Sequence, residues 1–448
     1  VALDFFRNAF EENHSKTAVV WCGSSYSYKW VLEHWKYLVE ELEENGVKTG
    51  DIVAVVGDYS PYYIALLFSL IELQTIIVPF VSGDVTFEQK LGISEAKYTL
   101  RFDQDNKLVI DRTESKSNHP YFEELRKAGT SGLVLFTSGT SGVPKGAVHN
   151  FSLLLKKFTT KRKSLRTINF LMFDHWGGLN TLFHTLANGG EVLTLEDRKP
   201  HTVCKFIEER RVELLPTSPT FLNFMVLSEA YKQYDLSSLK IISYGSEPMP
   251  ESLLQRLNKI FPGIKLQQTY GLIELGVLRS KSKDDGSLWV KLGGDGFETR
   301  VVNGILEIKS ESAMLGYLNA KSPFTADGWF ITGDEVLVDG DYFKVLGRKS
   351  EIINVGGEKV YPAEVESVIR DLSNVLEVVV FGKKNPFTGM MVVAQIRLNR
   401  EESHRDFKKR LKQHCKLNLK PYMIPAKIII SDEEQFGARA KKIRSNFS

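Results

Sequence analysis

Leu133 to Asn150 reads LVLFTSGTSGVPKGAVHN, and the fold turns on these letters. The apolar run Leu133 to Phe136 predicts a buried strand. It empties into Thr137, Ser138, Gly139, Thr140, Ser141 and Gly142, small residues that pack poorly and bend easily. Glycines let backbone N–H groups approach a ligand, hydroxyls add donors and Lys145 adds a positive charge, so the stretch reads as a grip for a polyphosphate. A Walker-type P-loop is excluded, because that pattern needs Gly-Lys-Ser/Thr and Lys145 stands between Pro144 and Gly146. A Ser/Gly-rich turn with no ligand is the competing reading, and the loop alone does not decide between them.

At 448 residues, 42% of them hydrophobic, the chain predicts two or three domains with large cores. Lys plus Arg total 58 against 55 Asp plus Glu, so a net charge of +3 carries no global nucleic-acid signature. Cys22, Cys204 and Cys415 are scattered without CxxC spacing, which fits a reduced cytoplasmic setting and argues against a disulfide scaffold or zinc ribbon. The N-terminus lacks the charged lead and long apolar core of a secretory signal. Tyr62 to Phe80 is the most membrane-like stretch, but Glu72 and Gln74 interrupt it, so it predicts a buried helix and then a strand over Thr75 to Phe80, with no transmembrane segment.

Working outward, Thr17 to Cys22 and Ile52 to Gly57 are β-branched runs, each followed by a helical pattern: Tyr28 to Asn45 closed by Gly46, and a second helix opening near Pro61. Alternating strands and helices imply a parallel sheet with covered faces. Lys97 to Pro120 is polar and reads as a linker. Phe151 to Arg166 predicts a helix with a basic end of Lys156, Lys157, Lys161, Arg162, Lys163 and Arg166, either a solvated face or a docking patch for an acidic partner. From Phe170 a strand-like start leads to Asp174, His175 and Trp176, then a helical run ending at Gly189-Gly190; a lone histidine is most often a satisfied core residue. Leu214 to Phe221 and Ile241 to Pro250 repeat strand, Pro-marked turn and helix. In Leu266 to Gly276, Tyr270 offers a flat face for stacking and Glu274 a hard oxygen ligand of the kind Mg²⁺ takes beside phosphates. Gly304 to Tyr317 suggests a β-rich subdomain, and WFITGD at Trp329 to Asp334 suggests an exposed carboxylate on a turn. The last hundred residues predict a compact αβ unit: helices over Pro362 to Asp371 and Arg405 to Cys415, strands over Val375 to Phe381 and Met391 to Leu398.

Taken together and in order, these stretches resemble the adenylate-forming superfamily of acyl-CoA synthetases, adenylation domains of nonribosomal peptide synthetases, and luciferases, most closely an acyl-CoA synthetase. The resemblance implies an α/β and α+β fold, with a large N-terminal αβ domain (1–349) and a small mobile C-terminal α+β domain (350–448) hinged at Ser350. By resemblance, Thr137 to Gly142 and Lys145 hold the phosphates of ATP, and backbone around Ser246, Glu247 and Pro248 reads adenine. Thr269, Tyr270 and Gly271 line the nucleotide, Glu274 binds Mg²⁺, and Asp334 with Arg348 grips the ribose. His175 and Trp176 would border the acyl carboxylate and the thiol entrance. Aligning on the two glycines puts Trp176 where amino-acid-activating relatives carry an ammonium-binding Asp, and aligning on Phe-Asp puts Asp174 there; the first is the better match and points away from an amino acid. Gly356, Gly357 and Lys359 would line the channel for the pantetheine of CoA. Lys441, paired with Arg444, is the implied catalytic lysine, with Lys442 an alternative because Ala440 stands where glycine is usual; Thr137 and His175 would assist. Ile273 replaces the usual phosphate-binding Thr, leaving that contact to Thr269 or the loop. The implied reaction joins a small carboxylic acid to AMP, releasing pyrophosphate, and passes the acyl group to a thiol: CoA first, a carrier protein as the alternative, with a nucleotide-binding homologue that has lost catalysis as the third reading.

Overall fold

The computed structural model describes residues 2–115, 117–138, 143–195, 197–284, 286–294 and 296–432. Two seven-stranded sheets form its centre. In the first the spatial order is Lys265–Gln268, Ile241–Tyr244, Leu214–Thr217, Arg166–Ile168, Glu191–Leu193, Thr17–Trp21 and Ser24–Ser27, all parallel except the last. In the second, Gly132–Ser138, Ile76–Val81, Ile52–Gly57 and Tyr98–Phe102 run parallel, flanked by Pro144–Asn150 and Gly316–Tyr317 at one edge and Leu108–Arg112 at the other. Parallel strands need both faces covered, and the helices cover them.

Helix Tyr28–Glu44 starts where Ser27 accepts the Trp30 N–H, and it buries Tyr28, Val31, Leu32, Trp35, Leu38 and Leu42 along one stripe. Helix Pro61–Glu72 has a serine cap and a proline in its first turn, and Ile64 through Ile71 are buried on every side. That all-round burial explains the membrane-like composition of this stretch: it is the centre of a large core, with Trp35 stacked on Phe68 at 4.9 Å. Among the described residues no helix is long and apolar enough to cross a membrane.

The expected β-rich subdomain is a six-stranded antiparallel sheet in the order Arg279–Ser282, Val290–Gly293, Tyr342–Arg348, Phe330–Asp339, Ile305–Ser310 and Phe297–Val302. Beyond it, Glu358–Val360, Ile353–Val355, Gly389–Leu398 and Val375–Asn385, with Lys427–Ile430 alongside Gly389–Leu398, form a separate five-stranded sheet. Helices Pro362–Arg370 and His404–Asn418 accompany this sheet, and Val365, Ile369, Val378, Ile396, Phe407 and Leu411 belong to a core of its own.

Four expectations are corrected. Lys97 to Pro120 is not a linker: Tyr98–Phe102 and Leu108–Arg112 make a hairpin at the sheet edge. Its polar letters belong to the tip, where the Asp103 carboxylate accepts from the N–H groups of Asp105 and Lys107. The helix from Phe151 stops at Leu155, passes through a 3₁₀ turn at Lys156–Phe158, and Arg166 already begins a strand. The basic residues therefore share no helical face, and Lys161 and Arg166 pair with Glu12 and Glu191. The strand before His175 is Arg166–Ile168 rather than a run from Phe170. Finally, Asp334 sits inside strand Phe330–Asp339 and is only 6% exposed, because the Thr-Gly pair is absorbed as an irregularity in the pairing with Ile305–Ser310 instead of ending the strand.

Candidate active site

The phosphate-loop stretch is a β-hairpin. Gly132–Ser138 and Pro144–Asn150 pair antiparallel, with Thr137 opposite Lys145 and Ser138 opposite Pro144. Strand structure thus reaches Ser138, further than the apolar run indicated. Gly139, Thr140, Ser141 and Gly142 lie outside the described residues. The strand leaving the turn of the hairpin is braced by Asn319, which accepts from the Gly146 N–H at 3.1 Å and donates to the Pro144 carbonyl at 2.8 Å.

Strand Gly316–Tyr317 adds to the same edge, setting Tyr317 opposite Ala147. Its hydroxyl donates to Glu274 Oε1 at 2.5 Å, while the Lys145 ammonium stands 5.6 Å from its ring centroid. One tyrosine therefore links the loop lysine to the expected metal ligand. Tyr317 was not singled out from the sequence; an aromatic after Leu-Gly is an ordinary strand residue until the pairing with the hairpin is known. Among the described residues no group of three or more His, Cys, Asp or Glu is placed to hold a metal. The buried Glu274 offers one carboxylate, a donor set that fits an Mg²⁺ carried mainly by phosphates and water and not a protein-caged ion.

The two residues expected to grip ribose are in contact. Asp334 and Arg348 face each other across neighbouring strands, with Arg348 Nε 3.4 Å from Asp334 Oδ1. Tyr270 adds what the sequence did not indicate: its hydroxyl donates to Asp334 Oδ2 at 2.6 Å. Burial raises the Asp334 pKa, and the Arg348 charge and the Tyr270 bond oppose that rise. Asp334 N–H also donates to Thr332 Oγ1, which fixes the turn of the backbone at Gly333.

Around the loop expected to read adenine, Thr269 is tied down. Its N–H and its hydroxyl both donate to the Tyr244 carbonyl, at 2.7 and 3.0 Å, and a Cβ at Gly245 would meet its Oγ1 at 2.4 Å. The hydroxyl proton of Thr269 is thus committed away from a phosphate, and Ile273 is turned into the main core. Ser246 and Pro248 are exposed, with Ser246 at φ +73°, whereas the Glu247 carboxylate accepts the Thr220 N–H at the start of helix Pro219–Leu227. Gly271 opens a two-stranded ribbon, Gly271–Leu272 with Gly276–Val277, that carries Glu274 in its turn.

His175 caps helix Trp176–Ala187, its Nδ1 accepting the Gly177 N–H at 3.1 Å, so that nitrogen is the unprotonated one. Trp176 points inward and is 1% exposed. His149, at the end of the hairpin, is fully buried against the backbone of Ile273 and Ser312, and burial pushes its pKa down to about 4.

Gly356 and Gly357 form an exposed turn between Ile353–Val355 and Glu358–Val360, both at positive φ, with open space where a Cβ would stand. Lys359 reaches back from that turn to Glu335 at 2.8 Å. Lys441, Lys442 and Arg444 lie outside the described residues. The structure thus brings Lys145, Tyr317, Glu274, Tyr270, Asp334 and Arg348 into two linked sets.

Residues 5–317 match the AMP-binding enzyme family, and residues 364–436 match the C-terminal domain of AMP-binding enzymes. The chain is 27% identical over 438 residues to the indoleacetate–CoA ligase of Aromatoleum aromaticum, spanning 85% of each protein. It is 28% identical over 415 residues to a feruloyl-CoA synthase of an Amycolatopsis species, spanning 83% of this chain and 84% of that one. The fold superposes with a TM-score of 0.84 on the anthranilate CoA ligase AuaEII in complex with anthranoyl-AMP, at 21% identity, covering 100% of this chain and 96% of the other.

Proposed function

The chain belongs to the AMP-binding enzyme family, and on that premise we propose that it works as an AMP-forming acid–CoA ligase whose nucleotide site is the paired constellation around Asp334 and Glu274. The observation that carries this reading is the convergence of Tyr270, Asp334 and Arg348 with Glu274, Tyr317 and Lys145, drawn from the second seven-stranded sheet, the six-stranded sheet, and the ribbon with the loop that leads into it.

In the first step a carboxylate oxygen attacks the α-phosphorus of ATP and pyrophosphate leaves, giving an acyl-adenylate. No proton has to be removed; the need is to place two negative groups together and neutralise the charge that develops. Lys145 and the hairpin around Thr137 and Ser138 supply donors to the phosphates. Asp334 accepts from the ribose hydroxyls, held in place by the Tyr270 bond and the Arg348 charge. Glu274 would hold Mg²⁺, which would supply neutralisation of the phosphate charge. A terminal lysine, Lys441 or Lys442, contacts the acid and the α-phosphate.

In the second step the sulfur of CoA attacks the acyl carbon, the C–O bond to AMP breaks and the thiol proton leaves to solvent. The unit beyond Ser350 turns for this step, withdrawing the lysine and bringing Gly356 and Gly357 beside the pantetheine arm. Turning of that unit requires the Lys359–Glu335 ion pair to break.

The test is acid-dependent exchange of labelled pyrophosphate into ATP with the wild type, Lys441→Ala and Lys442→Ala, followed by thioester formation with CoA and with a pantetheinylated carrier protein. Exchange that one of the two lysine variants abolishes, with thioester made on free CoA, supports the proposal. Thioester made only on the carrier overturns the choice of acceptor. ATP binding without exchange for any acid overturns the catalytic reading.

A further inference from the structure

Helix Tyr28–Glu44 buries one stripe in the main core and turns the opposite face outward. Two rows run along that outer face. Lys29, Glu33, Lys36 and Glu40 stand three or four residues apart, all exposed, and their charges alternate in sign. Beside them, at the same spacing, stand Trp30, His34 and Tyr37. The first two are half-buried and stack at 3.7 Å, while Tyr37 lies 6.2 Å beyond His34 and is 57% exposed. Tyr62 of helix Pro61–Glu72 packs edge-on against the row, 5.1 Å from Trp30 and 5.6 Å from His34.

A run of packed rings that opens on solvent marks a contact surface more often than a bare one. The charge row beside it indicates the occupant. Plus, minus, plus, minus is its own complement when the helix is turned end for end. With a two-fold axis beside the middle of the helix, between His34 and Trp35, Lys29 of one copy meets Glu40 of the other and Glu33 meets Lys36, each pair occurring twice. The same operation lays ring row against ring row, and it brings Tyr37 level with the Trp30–His34 stack of the second copy, where aromatic faces and edges attract. A lipid surface would select a basic rim, and this row carries as many acids as bases. Within one chain the pattern contributes little: Lys29 and Glu33 are 3.7 Å apart with both side chains largely in solvent.

We propose that this face binds a second copy of the chain, forming an isologous dimer on two antiparallel copies of helix Tyr28–Glu44, with the rings packed on one side of the contact and the alternating charges paired on the other.

The experiment is sedimentation equilibrium of the wild type, Tyr37→Ala, Lys36→Glu and Glu33→Lys between about 1 and 200 µM, the range in which modest interfaces associate. Wild type should dimerise with a Kd below about 100 µM. Tyr37→Ala should raise that Kd at least about tenfold. Each charge reversal alone should do the same, because it sets like charges opposite each other twice. An equimolar mixture of Lys36→Glu and Glu33→Lys should dimerise at least about tenfold more tightly than either variant alone, since every facing pair is then opposite in sign again. Recovery on mixing cannot come from misfolded chains. A wild type that stays monomeric at 200 µM overturns the proposal, as does a dimer that Lys36→Glu and Tyr37→Ala leave unchanged, or a mixture no tighter than its components. A monomeric wild type that sediments with vesicles of phosphatidylcholine and phosphatidylglycerol assigns the face to lipid and overturns it as well.

Discussion

Removing the Tyr270 hydroxyl should destabilise the protein more than removing the Arg348 charge, although the arginine is the formal counter-ion of Asp334. The Tyr270 bond is 2.6 Å long and joins two buried groups. A hydrogen bond to a charged acceptor in such a place is worth about 1.5–3 kcal/mol. Arg348 Nε is 3.4 Å from the carboxylate and its side chain is 52% exposed. Solvent screening then limits the pair to roughly 0.2–1 kcal/mol. Tyr270→Phe should therefore lose about 2 kcal/mol and Arg348→Gln less than about 1 kcal/mol. The assay is urea unfolding at neutral pH, using the transition that ATP shifts, because a chain with several cores need not unfold in one step. The sign with pH is also fixed. Burial favours the neutral Asp334 carboxyl, and the hydroxyl favours the charged one, so the Tyr270→Phe deficit is largest where Asp334 is ionised and shrinks as pH falls. An Arg348→Gln loss equal to or above that of Tyr270→Phe would refute the argument. So would a Tyr270→Phe shift under about 0.5 kcal/mol, within the ordinary range for a surface substitution.

Glu274→Gln should raise the Mg²⁺ concentration for half-maximal exchange at least about tenfold and Tyr317→Phe severalfold, since the tyrosine only positions the carboxylate; a Tyr317→Phe effect on acid KM instead of Mg²⁺ would contradict that role. Ser350→Pro restricts the backbone at the proposed hinge and should leave pyrophosphate exchange within about twofold while slowing thioester formation at least about tenfold. Equal slowing of both half-reactions would show that Ser350 is not the pivot. His149 stays neutral in the folded chain down to about pH 4, whereas in the unfolded chain it takes a proton below its ordinary 6.5. Its contribution is therefore complete above about pH 6.5 and is lost as pH drops toward 4, amounting to about 3 kcal/mol at the acid end. His149→Leu should flatten the fall in urea midpoint between pH 7 and 4, and an unchanged slope would assign the acid sensitivity elsewhere.

Much of this molecule is legible in its letters, for a physical reason. Parallel strands such as Ile52–Gly57 and Ile76–Val81 are buried on both faces, so they appear as unbroken apolar runs, and prolines or serines mark the helix starts. The same logic fails at edges. Tyr98–Phe102 and Leu108–Arg112 form a hairpin on the rim, where polar residues are allowed, and so read as a linker. Asp334 read as an exposed turn residue because Thr-Gly-Asp is turn chemistry locally; only the neighbouring strand Tyr342–Arg348 and the distant Tyr270 make it buried. Ordered motifs pointed to Glu274 and Arg348, which the structure sets against Tyr317 and Asp334. The tyrosines that position their partners depend on pairings between remote strands, which no local pattern encodes.

Strand Phe330–Asp339 carries two consecutive acids with different partners. Asp334 bonds to Tyr270 inside the proposed nucleotide site, and Glu335 bonds to Lys359 on the unit that follows Ser350. Successive side chains of a strand face opposite ways and share one stiff backbone. A displacement imposed on one acid is thus felt by the other without any mobile loop between them. Whatever free energy ribose occupancy adds or removes at the Lys359 contact, that contact must return to ribose binding in equal measure, since coupling between two equilibria is reciprocal. With Asp334 on the ribose as proposed, the strand would act as a two-sided sensor, each face tuning how strongly the other grips.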